Sequence, residues 1–485
     1  MERGSGKAVD ALRELGEACG RVMELPGRPL SGLAVVLLRG GRIAWEGYFG
    51  ARRFAAGEGK GRMEGQGGAS DLPVDERTRW RVASISKPTA TIGAMRLVEK
   101  GSLDLDRDIS DYLGFTLRNP SFPDEKITTR MLLGHTSSLR DAGFYYPPLG
   151  HRLEELFVPD GIYFDSGRHF APKDPRVDMS PASFYCYCNL GYGILGSIVE
   201  KVAGQRFDLY MREAVFGPLG IDGGFNVNLL SDEGFANLSP IYRKCPADEE
   251  SDDSWNAMGP WYPQIDDYRG VRPKLPVRIP AAVGASGTVG ACGHGDRGGR
   301  ELAAPPSLEE YGLGENGSLF SPQGGMRVRA RDLAKIAQCL IDGGKVGAGF
   351  GADDGTDAAD PEVPDPRSDD IRLLSGMSVD AMMTPGWQRR EDGSNCEEEF
   401  SHTYATGIGM MRPTGPGGRP GQWGHRGNAY GFLGGMFVDR SSRSGYVYMI
   451  GGTGANPDAN RDARSGLTVW EEALGRAIEK ALSLI

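Results

Sequence analysis

Ser84-Ile85-Ser86-Lys87 sets a hydroxyl and an amine three positions apart. A hydroxyl is a weak nucleophile at neutral pH, and an amine without its extra proton is a base able to take the hydroxyl hydrogen as the oxygen attacks a carbonyl. The product would be an acyl-enzyme that water later cleaves. Pro88 gives this spacing its meaning. Proline is tolerated in a helix only within the first turn, where its missing N–H would have no partner, so a helix running to Lys100 is expected to begin near Ser84. Ser84 then sits at the positive end of that helix, with Lys87 one turn along on the same face. Burial in a cleft and the positive helix end both disfavour the ammonium form and would leave Lys87 a competent base. Ser86 is a competing hydroxyl, but it is the direct neighbour of Lys87, and adjacent residues on a helix point apart. Ser84 is therefore the expected nucleophile.

A second group, Tyr187-Cys188-Asn189, lies about a hundred residues on. In an extended or looped segment, residues two apart point to one side, so a phenol and an amide could face the same cleft. Asn189 also suits the start of the helical run that follows. A third group, Trp423-Gly424-His425-Arg426-Gly427-Asn428, precedes a strand pattern and carries small residues that let another chain segment or a substrate approach the backbone.

Taken together, in this order and at these separations, the three groups resemble the β-lactamase-related serine hydrolases: class C β-lactamases, D-alanyl-D-alanine carboxypeptidases, D-aminopeptidases and the esterases with that fold. The stretches RVASISKPTATIGAMRLVEKGSLDLDRDISDYL, ITTRMLLGHTSSL, NLGYGILGSIVEKVAG, SPQGGMRVRARDLAKIAQ and GHRGNAYGFLGGMFVD extend the likeness over most of residues 80–215 and 318–452. The resemblance implies that Ser84 is the nucleophile, Lys87 its general base and Tyr187 a proton carrier to the leaving group. It implies that Asn189 binds the acyl side of the substrate, that the backbone N–H groups of Ser84 and Asn428 form an oxyanion hole, and that His425 opens the family's third motif ahead of Gly427. Two departures bear on substrate. Cys188 stands where many relatives carry serine, and His425-Arg426-Gly427 stands where β-lactamases and penicillin-binding proteins carry Lys-Thr-Gly. The resemblance then implies a neutral ester or amide, with short-chain esters favoured. The alternatives are β-lactams, D-Ala peptides or D-aminopeptidase substrates, and a catalytically silent binding or scaffold relative. Arg426 could bind a substrate carboxylate through its guanidinium if it faced the cleft, but strand alternation argues that it points opposite to His425.

The elements that must position these groups follow from periodicity. Val9, Leu12, Leu15, Cys19 and Val22 recur at spacings of three and four, which predicts an amphipathic helix over 7–24. SGLAVVLLRG and GRIAWEGYFG meet at Gly40-Gly41, a hairpin signal, and a Gly-rich loop is expected from Ala51 to about Ser70. Helical patterns dominate 80–204. An irregular stretch over 222–322 precedes a helix in RARDLAKIAQCLIDGG, and an acidic loop is expected over 347–370. Strands resume in ATGIGMM, YGFLGGMFVD and SGYVYMIGG, and a helix covers 467–484. A lone hairpin is marginal, so both chain ends are expected in one antiparallel sheet. The fold class is α/β: a sheet built from residues 1–80 and 370–485, flanked by helices, with a mostly helical insertion over 81–369 and a substrate cleft between them.

Composition narrows the partners. The chain has 485 residues and a net charge of -10, so it offers no basic excess to neutralise phosphates, and no nucleic-acid partner is expected. No run of about 18 apolar residues spans a bilayer, and the N-terminus lacks a signal-type apolar stretch, so a cytoplasmic location is expected, or a periplasmic one for a renumbered mature form. Seven cysteines in no paired spacing read as free thiols. No motif asks for a metal or another cofactor: Gly4-Ser5-Gly6-Lys7 lacks the preceding strand and first glycine of a phosphate loop, and neither G-x-S-x-G nor H-E-x-x-H occurs. His135 in LLGHTSSL reads as scaffold. The expected partner is a small ester or amide; the sequence sets neither the acyl length nor the oligomeric state.

Overall fold

The computed structural model describes residues 2–55, 71–245, 255–275, 308–347, 371–398 and 401–485. Its strands are β1 (Gly32–Arg39), β2 (Arg42–Arg53), β3 (Leu72–Pro73), β4 (Arg79–Arg81), β5 (Ile241–Lys244), β6 (Trp261–Ile265), β7 (Arg327–Arg329), β8 (Trp387–Gln388), β9 (Thr403–Thr406), β10 (Met411–Pro413), β11 (Trp423–Ala429), β12 (Phe432–Asp439), β13 (Ser444–Ile450) and β14 (Gly452–Thr453). Nine of them form one antiparallel sheet in the order β3-β2-β1-β13-β12-β11-β10-β9-β8. The two ends of the chain meet where β1 pairs with β13, from Leu33 opposite Ile450 to Arg39 opposite Ser444.

The hairpin at Gly40-Gly41 forms as the sequence predicts. Both glycines have positive φ, 58° and 85°, the backbone that a two-residue turn matched to strand twist requires. β1 is apolar at every position from Leu33 to Leu38 because both its faces are buried. Ala34, Val36 and Leu38 join the main core; Leu33, Val35 and Leu37 face the other way, onto helix α1 (Glu2–Met23) and the C-terminal helix Val469–Leu484. On α1 the buried stripe is Ala11, Leu15, Cys19 and Val22, while Val9, half a turn off Ala11, is exposed. Trp470, Leu474 and Ile478 of the C-terminal helix complete that second layer.

Three expectations change. β2 runs on to Arg53 and pairs with β3 where a loop was expected from Ala51; residues 56–70 lie outside the described residues, as do 348–370 of the acidic stretch. Within 80–204 the helices are Ser86–Glu99 (α2), Ser110–Leu113, Thr129–Gly134 and Asn189–Ala203, but between 135 and 188 there is only a short 3-10 turn at Leu153–Leu156. Proline, glycine and aspartate are frequent there and no apolar helical period is sustained, so turns take over. Finally, the stretch over 222–322 is not wholly irregular: β5 and β6 pair with each other, and β5 pairs with β14. Residues 246–254 and 276–307 of it lie outside the described residues.

The C-terminal helix is fixed by a reciprocal cap. The Thr468 hydroxyl accepts from the Glu471 N–H at 3.3 Å, and Glu471 in turn accepts from the Thr468 N–H at 3.0 Å. Glu471 also accepts from the Tyr448 hydroxyl at 2.8 Å, which ties the helix to β13. Thr468→Ala is expected to destabilise the protein by about 1 kcal/mol, read as a lowered midpoint in urea denaturation followed by circular dichroism.

Candidate active site

Ser84 sits in a turn that its neighbours hold rigid. From Thr78 to Met95 every residue is buried except Ser84, which opens to the cleft. Upstream, β4 pairs with β7. The chain then passes through Ala83, whose φ of 47° is left-handed, into a 3-10 turn over Ala83–Ile85, and α2 begins at Ser86. The helix thus starts two residues later than the sequence implies, because the left-handed Ala83 and the tight turn present Ser84 just ahead of it. Pro88 still falls in the first turn. Ser86 is wholly buried, and its hydroxyl accepts from the Met326 N–H at 3.0 Å, so it ties α2 to the strand region and does not compete for substrate.

Lys87 is wholly buried behind Ser84. Its Nζ lies 2.9 Å from Ser84 Oγ, 2.9 Å from Asn189 Oδ1 and 2.9 Å from the carbonyl oxygen of Gln323. The last two oxygens can only accept. A neutral amine has two N–H donors and one lone pair, so donating to those acceptors turns the lone pair towards the Ser84 hydroxyl. Burial pulls the Lys87 pKa from its usual 10.5 to about 7, against the opposing pull of the Asp141 carboxylate and Cys188. Burial is the leading cause. A fall of that size is worth about 5 kcal/mol against the ammonium form.

Tyr187 and Asn189 face the same cleft, as their spacing predicts. The Tyr187 hydroxyl is hydrogen-bonded to Ser84, and burial holds its pKa well above the usual phenol value, so it stays protonated and able to donate. Lys87 Nζ lies 4.7 Å from the centre of the Tyr187 ring. Asn189 does not cap the helix that follows. It is that helix's first residue, and Asp141 does the capping from a distant loop: its carboxylate accepts from the N–H groups of Asn189 and Leu190 at 2.9 and 2.8 Å. The same carboxylate accepts from Asn189 Nδ2 at 2.8 Å, which turns Oδ1 towards Lys87. His135 is scaffold placed close to the chemistry. It ends the Thr129–Gly134 helix in a left-handed conformation, its Nδ1 accepts from the Cys188 N–H at 3.1 Å, and its ring stacks on Tyr187 at 4.4 Å. Burial lowers its pKa well below the usual imidazole value and keeps it neutral.

The third group lies on β11. His425 is buried, and its ring centre is 6.1 Å from that of Tyr187. Nδ1 lies 2.6 Å from the carbonyl oxygen of Arg426; a carbonyl only accepts, so Nδ1 carries the proton and Nε2 keeps a lone pair. Burial, reinforced by Lys87, lowers the His425 pKa to about 3. Arg426 alternates with His425 and reaches towards Tyr446, Tyr448 and the Gly466 carbonyl, where it still lines the cleft. Gly427 is where β11 and the Ser84 turn meet. A Cβ there would lie 2.6 Å from the Val82 carbonyl oxygen and 3.3 Å from Ala83 Cβ, so only glycine allows this approach. Asn428, next along, is exposed at the cleft edge.

All the residues singled out in the sequence therefore converge. Ser84, Tyr187, Asn189, His425, Gly427 and Asn428 line one cleft of about 1390 Å³, with Lys87 buried behind Ser84. Asp141 and Gln323 escaped the sequence reading, since one acts from a loop 48 residues before Asn189 and the other through its backbone carbonyl. Among the described residues, six cysteines are free thiols, there is no cluster of three or more metal-ligating side chains, and no helix is long and apolar enough to cross a membrane.

A sheet of both chain ends flanked by helices, carrying a serine and a buried lysine in its cleft, defines a protein of the β-lactamase and penicillin-binding-protein fold. The family model described as Beta-lactamase matches residues 21–469, and the chain belongs to that family, whose members include esterases and peptidases that act as serine hydrolases. Among curated relatives, it is similar to Esterase EstB of Burkholderia gladioli, 32% identical over 164 residues that cover 32% of this chain and 40% of the relative. It is similar also to Penicillin-binding protein 4 of Amycolatopsis lactamdurans, 35% identical over 134 residues, covering 27% and 32%. The chain thus spans about a third to two fifths of the length of these relatives. Among solved structures, D-amino acid amidase from Ochrobactrum anthropi SV3 superposes with a TM-score of 0.55 at 16% identity, covering 97% of this chain and 98% of that one, which is a likeness of fold.

Gly427→Ala is expected to push β11 off the Ser84 turn. Activity should fall on the order of 100-fold while circular dichroism shows a folded protein, as measured by ester hydrolysis. The pH dependence has a defined sign. Lys87 works as a base when neutral, so kcat/KM should rise with pH through an apparent pKa near 7, and His425, titrating at about 3, should add no inflection between about pH 5 and 9. A flat profile over that range would remove Lys87 as the base.

Proposed function

We propose that this protein is a carboxylesterase acting on short-chain esters through an acyl-enzyme at Ser84. The observation that carries the reading is the Lys87 nitrogen, stripped of water and hydrogen-bonded so that its lone pair meets the Ser84 hydroxyl. In the reaction, Ser84 Oγ attacks the ester carbonyl as Lys87 Nζ takes its proton. The backbone N–H groups of Ser84 and Asn428 receive the developing oxyanion; losing one such donor costs about 100- to 1,000-fold in rate. The Tyr187 phenol delivers its proton to the departing alkoxide and takes up the one held by Lys87, which returns the amine to its neutral form. Water then enters by the open cleft, gives its proton to the same base and releases the acid, restoring Ser84. Asn189, held by Asp141, keeps one amide N–H for the substrate.

Esters are favoured over β-lactams and D-Ala peptides by β11. Where those chemistries place a lysine, His425 is neutral, and Arg426 alternates with it along β11. Arg426 also lines the cleft but donates to the Gly466 carbonyl oxygen at 3.5 Å, so the position that holds lysine in those families carries no charge here. Similarity to an esterase adds support.

A fluorophosphonate probe is expected to label Ser84 and not the Ser84→Ala protein, read by peptide mass spectrometry. p-Nitrophenyl butyrate should be hydrolysed faster than nitrocefin or D-Ala-p-nitroanilide. Faster turnover of either rival would shift the substrate class to lactams or amides, and absence of any adduct at Ser84 would leave a silent binding relative.

A further inference from the structure

A second, smaller cavity also reaches Ser84. It measures about 170 Å³ and is walled by Tyr145, Tyr146 and Tyr430, with Arg81, Leu319 and Gln323 completing it. Arg81 projects from β4, three residues before the nucleophile. It is 8% exposed, its Nε donates to the Gly324 carbonyl oxygen at 3.0 Å, and its guanidinium carbon lies 5.7 Å from the centre of the Tyr430 ring. Its two Nη groups donate to no described residue, and no described carboxylate lies within ion-pair distance. The acid beside it is already committed: Asp266 accepts from Arg327 Nε at 3.0 Å and from Arg327 Nη2 at 2.8 Å. Two guanidiniums thus share one carboxylate under this cavity. A buried cation that no described carboxylate pairs is costly to hold, and structural arginines are normally paired. Gln323, 9% exposed on the same wall, also has a side-chain oxygen without a partner among the described residues.

We propose that Arg81 anchors a free carboxylate on the acyl group of the substrate, so that the preferred esters are half-esters of short dicarboxylic acids. This rests on Ser84 being the acylated residue. The planar fork of Arg81 offers Nη donors that match a carboxylate in paired hydrogen bonds. The tyrosine walls suit a short methylene chain between that carboxylate and the carbonyl under attack. The assignment of acyl and leaving groups follows from the two cavities. The acyl group stays bound through the second half of the reaction and fits the small cavity, whereas the large cleft lets the alcohol leave and water enter.

The test compares mono-p-nitrophenyl glutarate with p-nitrophenyl pentanoate, which has the same chain length without the charge. The wild-type protein is expected to favour the glutarate ester in kcat/KM by on the order of 10- to 100-fold, with the advantage shrinking as salt rises. Arg81→Gln should abolish that ratio mainly through KM, and Arg81→Lys should restore part of it. A wild-type ratio at or below unity, or equal loss on both esters in Arg81→Gln, would overturn the proposal. A binding measurement keeps it separate from turnover. By calorimetry, the Ser84→Ala protein should bind mono-methyl glutarate and not methyl pentanoate, and adding Arg81→Gln should remove that binding. Selective binding without hydrolysis of either ester by the wild type would sink the esterase reading and leave the anchor standing. Hydrolysis without selective binding would do the reverse.

Discussion

The site depends on one buried nitrogen. Lys87 Nζ is sealed from water and meets three oxygen atoms, each at 2.9 Å. An ammonium in that position loses its hydration, and the pKa falls to about 7 because burial outweighs the nearby Asp141 carboxylate. Each partner comes from a different part of the chain: the nucleophile turn, the start of the Asn189–Ala203 helix, and the loop before β7. The basicity of Lys87 is therefore set by the tertiary packing around it. Displacing any one of the three would admit water or release an N–H, and the lone pair would no longer be directed at Ser84.

That packing is supplied by the sheet. Pairing of β1 with β13 joins the chain ends and fixes the order of the strands beside them. β11 lies two places from β13 and is held by full pairing with β12, from Trp423 opposite Val438 to Ala429 opposite Phe432. Gly427 then lets it touch Val82 and Ala83. The left-handed turn at Ala83 is a local cost of about 1–3 kcal/mol, and the surrounding elements, β4, β7 and β11, hold it in place.

Much of this was legible in the sequence. Pro88 announces a helix start, the i and i+3 spacing of Ser84 and Lys87 survives its two-residue displacement, and the Gly40-Gly41 turn and the strands around it are local signals. Alternation along β11 correctly separates His425 from Arg426. The long excursion between 135 and 188 was harder, because its conformation comes from turns and from contacts such as Asp141 with Asn189 rather than from any repeating pattern. Asp141 caps a helix from which it is far removed in sequence, and neither residue type nor spacing marks it. Arg81 was invisible for the same reason: an arginine at the end of a strand reads as ordinary until it is seen to have no carboxylate at ion-pair distance among the described residues.

Residue type and spacing were enough to mark the parts, namely the candidate residues that converge on one cleft, their order, and the α/β class that brings both ends of the chain into one sheet. These follow from short-range rules of helix, strand and turn, and from a family likeness spread over most of the chain. The tertiary structure alone decided how those parts are tuned. It buries Lys87 and lowers its pKa, turns Asn189 by means of Asp141, keeps His425 neutral, and leaves Arg81 with no carboxylate within ion-pair distance among the described residues, close to Ser84. Burial and partnership are properties of groups distant in sequence and adjacent in space, so no local pattern records them.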